Sequence, residues 1–178
     1  MENFNIELFV NDLESEVGLM LVGGRPGVGK TTFLLNVTAQ MLRRNKNVFF
    51  VSLELDEESI KNYLLSTGLN DQDSLSKLTI YDKPNFNIDD LSDDETVVNS
   101  DLIVIDYLNL IGYANDKSLD YIVKQLKNIS NHKNINIIAT TQLSKSNDKS
   151  RIPTESDFMI SEDVFPKYVD NSILLYEK

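Results

Sequence analysis

The chain has 178 residues, no cysteine and a single histidine, His132. Without cysteine there are no disulfides and no thiolate metal sites. One histidine cannot build a zinc centre of the His and Cys kind. His132 sits in the polar stretch Ser130-Asn131-His132-Lys133-Asn134 and reads as an exposed turn residue rather than a catalytic one. No apolar run approaches the roughly 18 residues that span a membrane. The start, Met1-Glu2-Asn3-Phe4-Asn5, lacks the basic and apolar regions of a secretory leader. These absences lead to the expectation of a cytoplasmic protein with no membrane partner. Basic charge is scarce as well: 17 Lys and Arg face 28 Asp and Glu, a net charge of −11. Such a chain is a poor non-specific binder of DNA, whose affinity comes largely from neutralised phosphates. The deficit is uneven. Residues 54 to 101 carry 13 acids against 3 bases, whereas residues 116 to 151 carry 7 bases against 3 acids. A local nucleic-acid contact therefore stays open.

With 41% hydrophobic residues the chain is globular, and its length suits one domain with a sizeable core. No repeat, low-complexity tract or linker divides it. The expected organisation is a single domain over 1–178, with 1–17 leading into a core at 18–178. Strand-like runs fall at 18–23, 47–53, 78–81, 101–106, 134–141 and 171–176. Several are continuously apolar, such as Val48-Phe49-Phe50-Val51 and Leu102-Ile103-Val104-Ile105, as strands covered on both faces should be. Leu119, Ile122, Val123, Leu126 and Ile129 form a helical stripe between two of them. Asp56-Glu57-Glu58-Ser59 opens another helix, with Gly68 as its stop. The acidic stretch from Ile88 to Asp101 reads as a short surface helix and its loop. The alternation predicts an α/β fold: a mostly parallel twisted sheet with helices on both faces.

Residues 24 to 31 read Gly24-Arg25-Pro26-Gly27-Val28-Gly29-Lys30-Thr31, and Thr32 follows. This is the G-x-x-x-x-G-K-[ST] pattern of a phosphate-binding loop. It lies between the apolar run Leu19-Met20-Leu21-Val22 and a helical run through Phe33, Leu34, Val37, Met41 and Leu42. The glycines let the backbone approach a ligand and aim several N–H groups at one point. The helix start adds its positive dipole end. Lys30 is then placed for the β- and γ-phosphates, and the Thr31 hydroxyl for Mg²⁺.

In a parallel sheet, ligands bind at the carboxyl ends of the strands. Three further apolar runs end in polar residues that suit a nucleoside triphosphate. Leu102-Ile103-Val104-Ile105-Asp106 has the form of a Walker B strand, with Asp106 orienting Mg²⁺. Val48-Phe49-Phe50-Val51-Ser52-Leu53 leads to Glu54, which could position or deprotonate an attacking water or could simply be solvated. Ile137-Ile138-Ala139-Thr140-Thr141 leads to Gln142, either a γ-phosphate contact or a polar loop residue. After it, Lys145, Lys149 and Arg151 make a basic loop, which reads either as a contact for nucleic-acid phosphate or as solvated lysines.

Together these motifs resemble the RecA-like ATPase domain of DnaB-type replicative helicases. The resemblance runs from about Gly18 to Lys178. It rests on the phosphate loop, Ser52-Leu53-Glu54-Leu55, and Asp106-Tyr107-Leu108-Asn109-Leu110-Ile111. It rests also on Thr141-Gln142-Leu143-Ser144, Arg151-Ile152-Pro153 with Ser156-Asp157, and Asp170-Asn171-Ser172-Ile173-Leu174-Leu175-Tyr176. The resemblance implies a RecA-like fold and ATP with Mg²⁺ as ligands. It makes Lys30 and Thr31 the phosphate and metal contacts, Asp106 the Walker B carboxylate, Glu54 the general base and Gln142 the γ-phosphate sensor. Arg25 matches an arginine usual at this place in the family. Lys145, Lys149 and Arg151 would match a loop that faces single-stranded DNA, and helicase or other replication proteins would be the partners. The sequence departs from the pattern at Phe158-Met159-Ile160-Ser161, where Arg-Glu-Ser-Gly is expected. It shows no Arg-Asn-Gly-Pro segment, the family's site for an arginine finger, and the family's linker helix is expected to be missing as well. Ring formation, and with it a motor activity, is therefore left open beside a non-motor accessory role as loader, regulator or inhibitor. A RecA-like regulatory ATPase of the RadA or KaiC kind is a third alternative, less well matched by Asp106 to Ile111.

Overall fold

A computed structural model describes residues 5–69, 72–83, 86–92, 97, 99–144 and 151–176. Six strands run parallel: β1 (Leu19–Gly24), β2 (Val48–Ser52), β3 (Leu78–Tyr81), β4 (Leu102–Asp106), β5 (Asn136–Gln142) and β6 (Asn171–Leu175). Their order across the sheet is β3-β2-β4-β5-β1-β6. The strand that opens the phosphate loop and the strand that ends in Asp106 are thus separated by β5.

The period of two sorts each strand between two cores. Leu21, Val51, Ile103, Ile105 and Ile137 point to one face; Met20, Val22, Phe50, Val104 and Ile138 point to the other. All five strand residues of β2 and of β4 are buried. That double burial explains why these strands read as unbroken apolar runs rather than as alternating ones.

Helices α1 (Ile6–Ser15), α2 (Lys30–Arg43) and α3 (Glu57–Ser66), followed by the short α4 (Gln72–Leu75), cover the second face. Helices α5 (Leu108–Asn115) and α6 (Leu119–Lys133), with the short α7 (Phe165–Tyr168), cover the first. The stripe foreseen on α6 is buried at Ile122, Val123, Leu126 and Ile129. Helix α3 starts at the Asp56 cap, whose carboxylate accepts from the Ser59 N–H at 2.8 Å. It ends before Gly68, which takes φ +86°, the left-handed geometry of a helix stop.

Three expectations are corrected or extended. The lead-in contains a helix that the sequence reading did not name: Asn5 caps α1 by accepting from the Glu7 and Leu8 N–H groups, and Val10 and Leu13 are buried. The acidic stretch after Ile88 is not merely a solvated face. Its 3-10 turn, Ile88–Ser92, buries Ile88 and Leu91, and Val97 is buried beyond it. Asp89 of this turn is exposed and pairs with Lys117. His132 is exposed as expected but sits in the last turn of α6 rather than in a loop. Its Nδ1 lies 2.8 Å from the Asn128 carbonyl.

Candidate nucleotide site

Parallel pairing brings the four strand tips together. Register places Gly24 beside Gln142 across β1 and β5, and Ser52 beside Asp106 across β2 and β4. A cavity of about 300 Å³ opens there, lined by Pro26, Gly27, Gly29, Lys30 and Thr31 of the loop and by Glu54, Tyr107 and Gln142. This is the small end of the range for ligand pockets. Of the contacts expected at a strand tip or in the phosphate loop, Pro26, Gly27, Gly29, Lys30, Thr31, Glu54 and Gln142 line this cavity, and Asp106 bonds to Thr31.

The loop owes its shape to two glycines. Gly27 and Gly29 take φ +82° and +95°, which L side chains rarely adopt. A Cβ at either would meet nothing within 4 Å, so the demand for glycine is backbone geometry and not space. The Val28 N–H donates to the Arg25 carbonyl at 3.4 Å within the turn. Gly29 is the N-cap of α2 and has no side-chain cap. The first N–H groups of that helix are left for a ligand, beside the positive end of its dipole.

Lys30 folds back over the loop. Its Nζ donates to the Gly24 carbonyl at 3.0 Å and the Arg25 carbonyl at 3.2 Å. Burial holds its pKa below the ordinary lysine value, while the charges of Asp106 and Glu54 pull it back up. Thr31 Oγ1 donates to Asp106 Oδ2 at 2.6 Å, tying α2 to the tip of β4. Asp106 is buried, and its Oδ1 accepts from the Thr140 hydroxyl on β5. Both carboxylate oxygens are thereby fixed, one towards the loop and one towards the sheet.

Glu54 is exposed at the cavity mouth. Its segment is held rather than loose. Ser52 Oγ donates to the Leu55 carbonyl at 2.6 Å and accepts from the Leu55 N–H at 3.0 Å. The Leu53 N–H donates to the Asp106 carbonyl at 2.9 Å. Gln142 closes the opposite wall, half-buried at the end of β5. Thr32 is exposed in the first turn of α2, where its carbonyl accepts from Asn36 at 2.9 Å.

The basic loop is placed only in part. Lys145 and Lys149 lie outside the described residues. Arg151 pairs with the Asp157 carboxylate, and its carbonyl accepts from Arg25 Nη2 at 3.4 Å. Asp157 also accepts from the Thr154 N–H at 2.7 Å, closing a capping box. These bonds hold the Asp157 carboxyl below the usual carboxylate range, the backbone N–H of Thr154 contributing most. Sequence reasoning did not single out Ser52, Tyr107, Asn109 or Thr140. Ser52, Tyr107 and Asn109 lie in segments that carry the resemblance without being given roles there; the partners of Asn109 and Thr140 are distant in the chain, whereas Ser52 bonds to Leu55.

The chain matches the family described as "DnaB-like helicase C terminal domain" over residues 11–73 and 66–167. It is 31% identical over 165 residues to a "Probable replicative DNA helicase" of Trieres chinensis, covering 72% of this chain and 36% of that one. It is 32% identical over 109 residues to a "DNA repair protein RadA" of Listeria monocytogenes, covering 61% of this chain and 22% of that one. The chain thus spans roughly a third or less of the curated relatives it matches. Among solved structures, a DnaB-like replicative helicase, described with its interactions with primase, superposes with a TM-score of 0.70 at 21% identity. The match covers 92% of this chain and 48% of that one. The fold is accordingly that of RecA-like ATPase domains, as the strand pattern and motifs led one to expect.

Proposed function

Since the chain belongs to the family of DnaB-like helicase C-terminal domains, we propose that it is an ATPase domain of replicative-helicase type, acting on ATP in DNA replication. The observation that carries this reading is the bond between Thr31 and Asp106, made across one cavity that Lys30, Glu54 and Gln142 also line. A chance glycine turn needs no buried carboxylate opposite its threonine.

The donor set suits Mg²⁺, since the Thr31 hydroxyl and the Asp106 carboxylate are hard oxygen ligands. Among the described residues no group of three or more His, Asp or Glu could hold a metal by itself. That fits an ion held by few protein ligands and otherwise by phosphate oxygens and water. When bound, Mg²⁺ neutralises charge on the β- and γ-phosphate oxygens. The loop N–H groups and the start of α2 hold the phosphates. Lys30, steadied by its two carbonyl acceptors, turns its remaining donor to the phosphate oxygens. Gln142 contacts the γ-phosphate. Glu54 orients a water and accepts its proton as the water oxygen bonds to the γ-phosphorus. The bond from that phosphorus to the β,γ-bridging oxygen breaks, and ADP and phosphate leave.

Among the described residues lining the cavity, Lys30 is the one cation. That favours a second reading, in which the chain binds ATP and docks on a replication partner without acting as a motor. ATP turnover with and without single-stranded DNA separates the two. The helicase reading expects DNA to stimulate turnover; the accessory reading expects the same slow rate in both. ATP binding that survives Lys30→Ala unchanged would sink both.

A further inference from the structure

Asn109 lies in the first turn of α5, three residues after Asp106, and its side chain is 5% exposed. Its Oδ1 accepts two hydrogen bonds from β5: one from Thr141 Oγ1 and one from the Gln142 N–H, both at 3.0 Å. The second bond matters because Gln142 is the last residue of β5. Its side chain lines the nucleotide cavity, while its backbone N–H is held from the other side of the sheet tip by α5. Asn109 also borders a separate cavity of about 410 Å³ with Gly112, Lys117 and Met159. Gln142 is thus held between the nucleotide cavity and a helix that faces another opening.

We infer that Asn109 is a positioning residue for Gln142: it fixes the end of β5 so that the Gln142 amide meets the γ-phosphate of ATP. The inference rests on the ATPase reading and adds to it a residue that touches no substrate. The chemistry is acceptor-only. One side-chain oxygen takes both bonds, so a carboxylate of the same shape can accept them too, at the cost of burying a charge. An apolar isostere leaves the Gln142 N–H without its partner beside the cavity. The strand end can then turn, and contact with the third phosphate is lost while contacts with the first two remain. The expected signature is a loss of preference for ATP over ADP, not a loss of nucleotide binding.

The experiment is calorimetric titration of the whole chain with ATP and with ADP, each with MgCl₂, for wild type, Gln142→Ala, Asn109→Leu and Asn109→Asp. Asn109→Leu is expected to weaken ATP binding by about 10- to 100-fold, the worth of one lost hydrogen bond to a charged group, and to leave ADP within about 2-fold of wild type. Gln142→Ala is expected to match it, and Asn109→Asp to restore wild-type preference. Should Asn109→Leu fail to fold, Asn109→Ser shortens the same side chain and gives the same readout. Wild-type preference in Asn109→Leu, beside a loss in Gln142→Ala, overturns the inference and leaves the site reading standing. Parallel losses for ATP and ADP also overturn it, since they mark a merely structural role. Unchanged preference in Gln142→Ala instead removes the γ-phosphate role on which the inference depends.

Discussion

Glu54 and Lys30 make the sharpest claims at the scale of single residues. Glu54→Gln keeps the shape of the cavity mouth but removes the proton acceptor. Its expected effect is a drop in turnover of about 10²–10⁴-fold, with ATP affinity nearly unchanged, read by single-turnover phosphate release beside calorimetry. Lys30 carries a pH signature. Its pKa is lowered mainly by burial, so the free folded chain sheds this proton below the ordinary value of 10.5. A bound triphosphate favours the charged lysine, so ATP affinity should fall as pH rises through that alkaline window. The fold responds with the opposite sign. The unfolded chain binds this proton more tightly, so Lys30's contribution to stability rises with pH up to about the unfolded value. Urea melts of wild type and Lys30→Met from neutral pH towards 10 check this: the difference between them should shift in favour of wild type as pH rises. A difference that is flat with pH contradicts it.

Among the elements, the strands were the most legible and α1 the least, for one physical reason. Burial on both faces writes a continuous apolar run, which Val48–Ser52 and Leu102–Asp106 display without ambiguity. A short surface helix writes only a stripe. In α1 that stripe, Val10 and Leu13, is diluted by Asn11, Asp12 and Glu14. The Ile88–Ser92 turn reads as surface because its two aspartates belong to a longer acidic stretch, whereas packing depends on Ile88 and Leu91. The site split the same way. The glycines, Lys30, Thr31 and Asp106 follow from local pattern, whereas Asn109 and Thr140 act through partners more than thirty residues away. Two element-scale outcomes follow. Leu13→Ala should destabilise the chain by about 2–4 kcal/mol in urea unfolding, with nucleotide affinity kept, because α1 packs on α2 and lines no part of the nucleotide cavity. Gly68→Ala should cost about 1–2 kcal/mol from its left-handed backbone alone, since a Cβ there meets nothing within 4 Å.

For the whole molecule the charge balance decides what DNA can contribute. A chain of net charge −11 repels a polyanion except where its bases gather. Binding of single-stranded DNA should therefore be weak and steeply salt-dependent, and should vanish when Lys145, Lys149 and Arg151 all become Ala. Fluorescence anisotropy of a labelled oligonucleotide across a salt series reads this directly, and binding that survives the triple change sinks the loop assignment. With Lys30 the single cation among the described cavity residues, turnover of the chain by itself should lie about 10³-fold or more below that of an arginine-assisted site. The posture of Lys30 also shapes binding. Its ammonium has two backbone carbonyls as partners, and a lysine ammonium has three N–H donors. The carbonyls are neutral, so they fix where the charge sits without cancelling it, and the third donor can meet a phosphate oxygen. Lys30 therefore reaches a triphosphate as a charge aimed in advance, and less side-chain freedom is lost on binding.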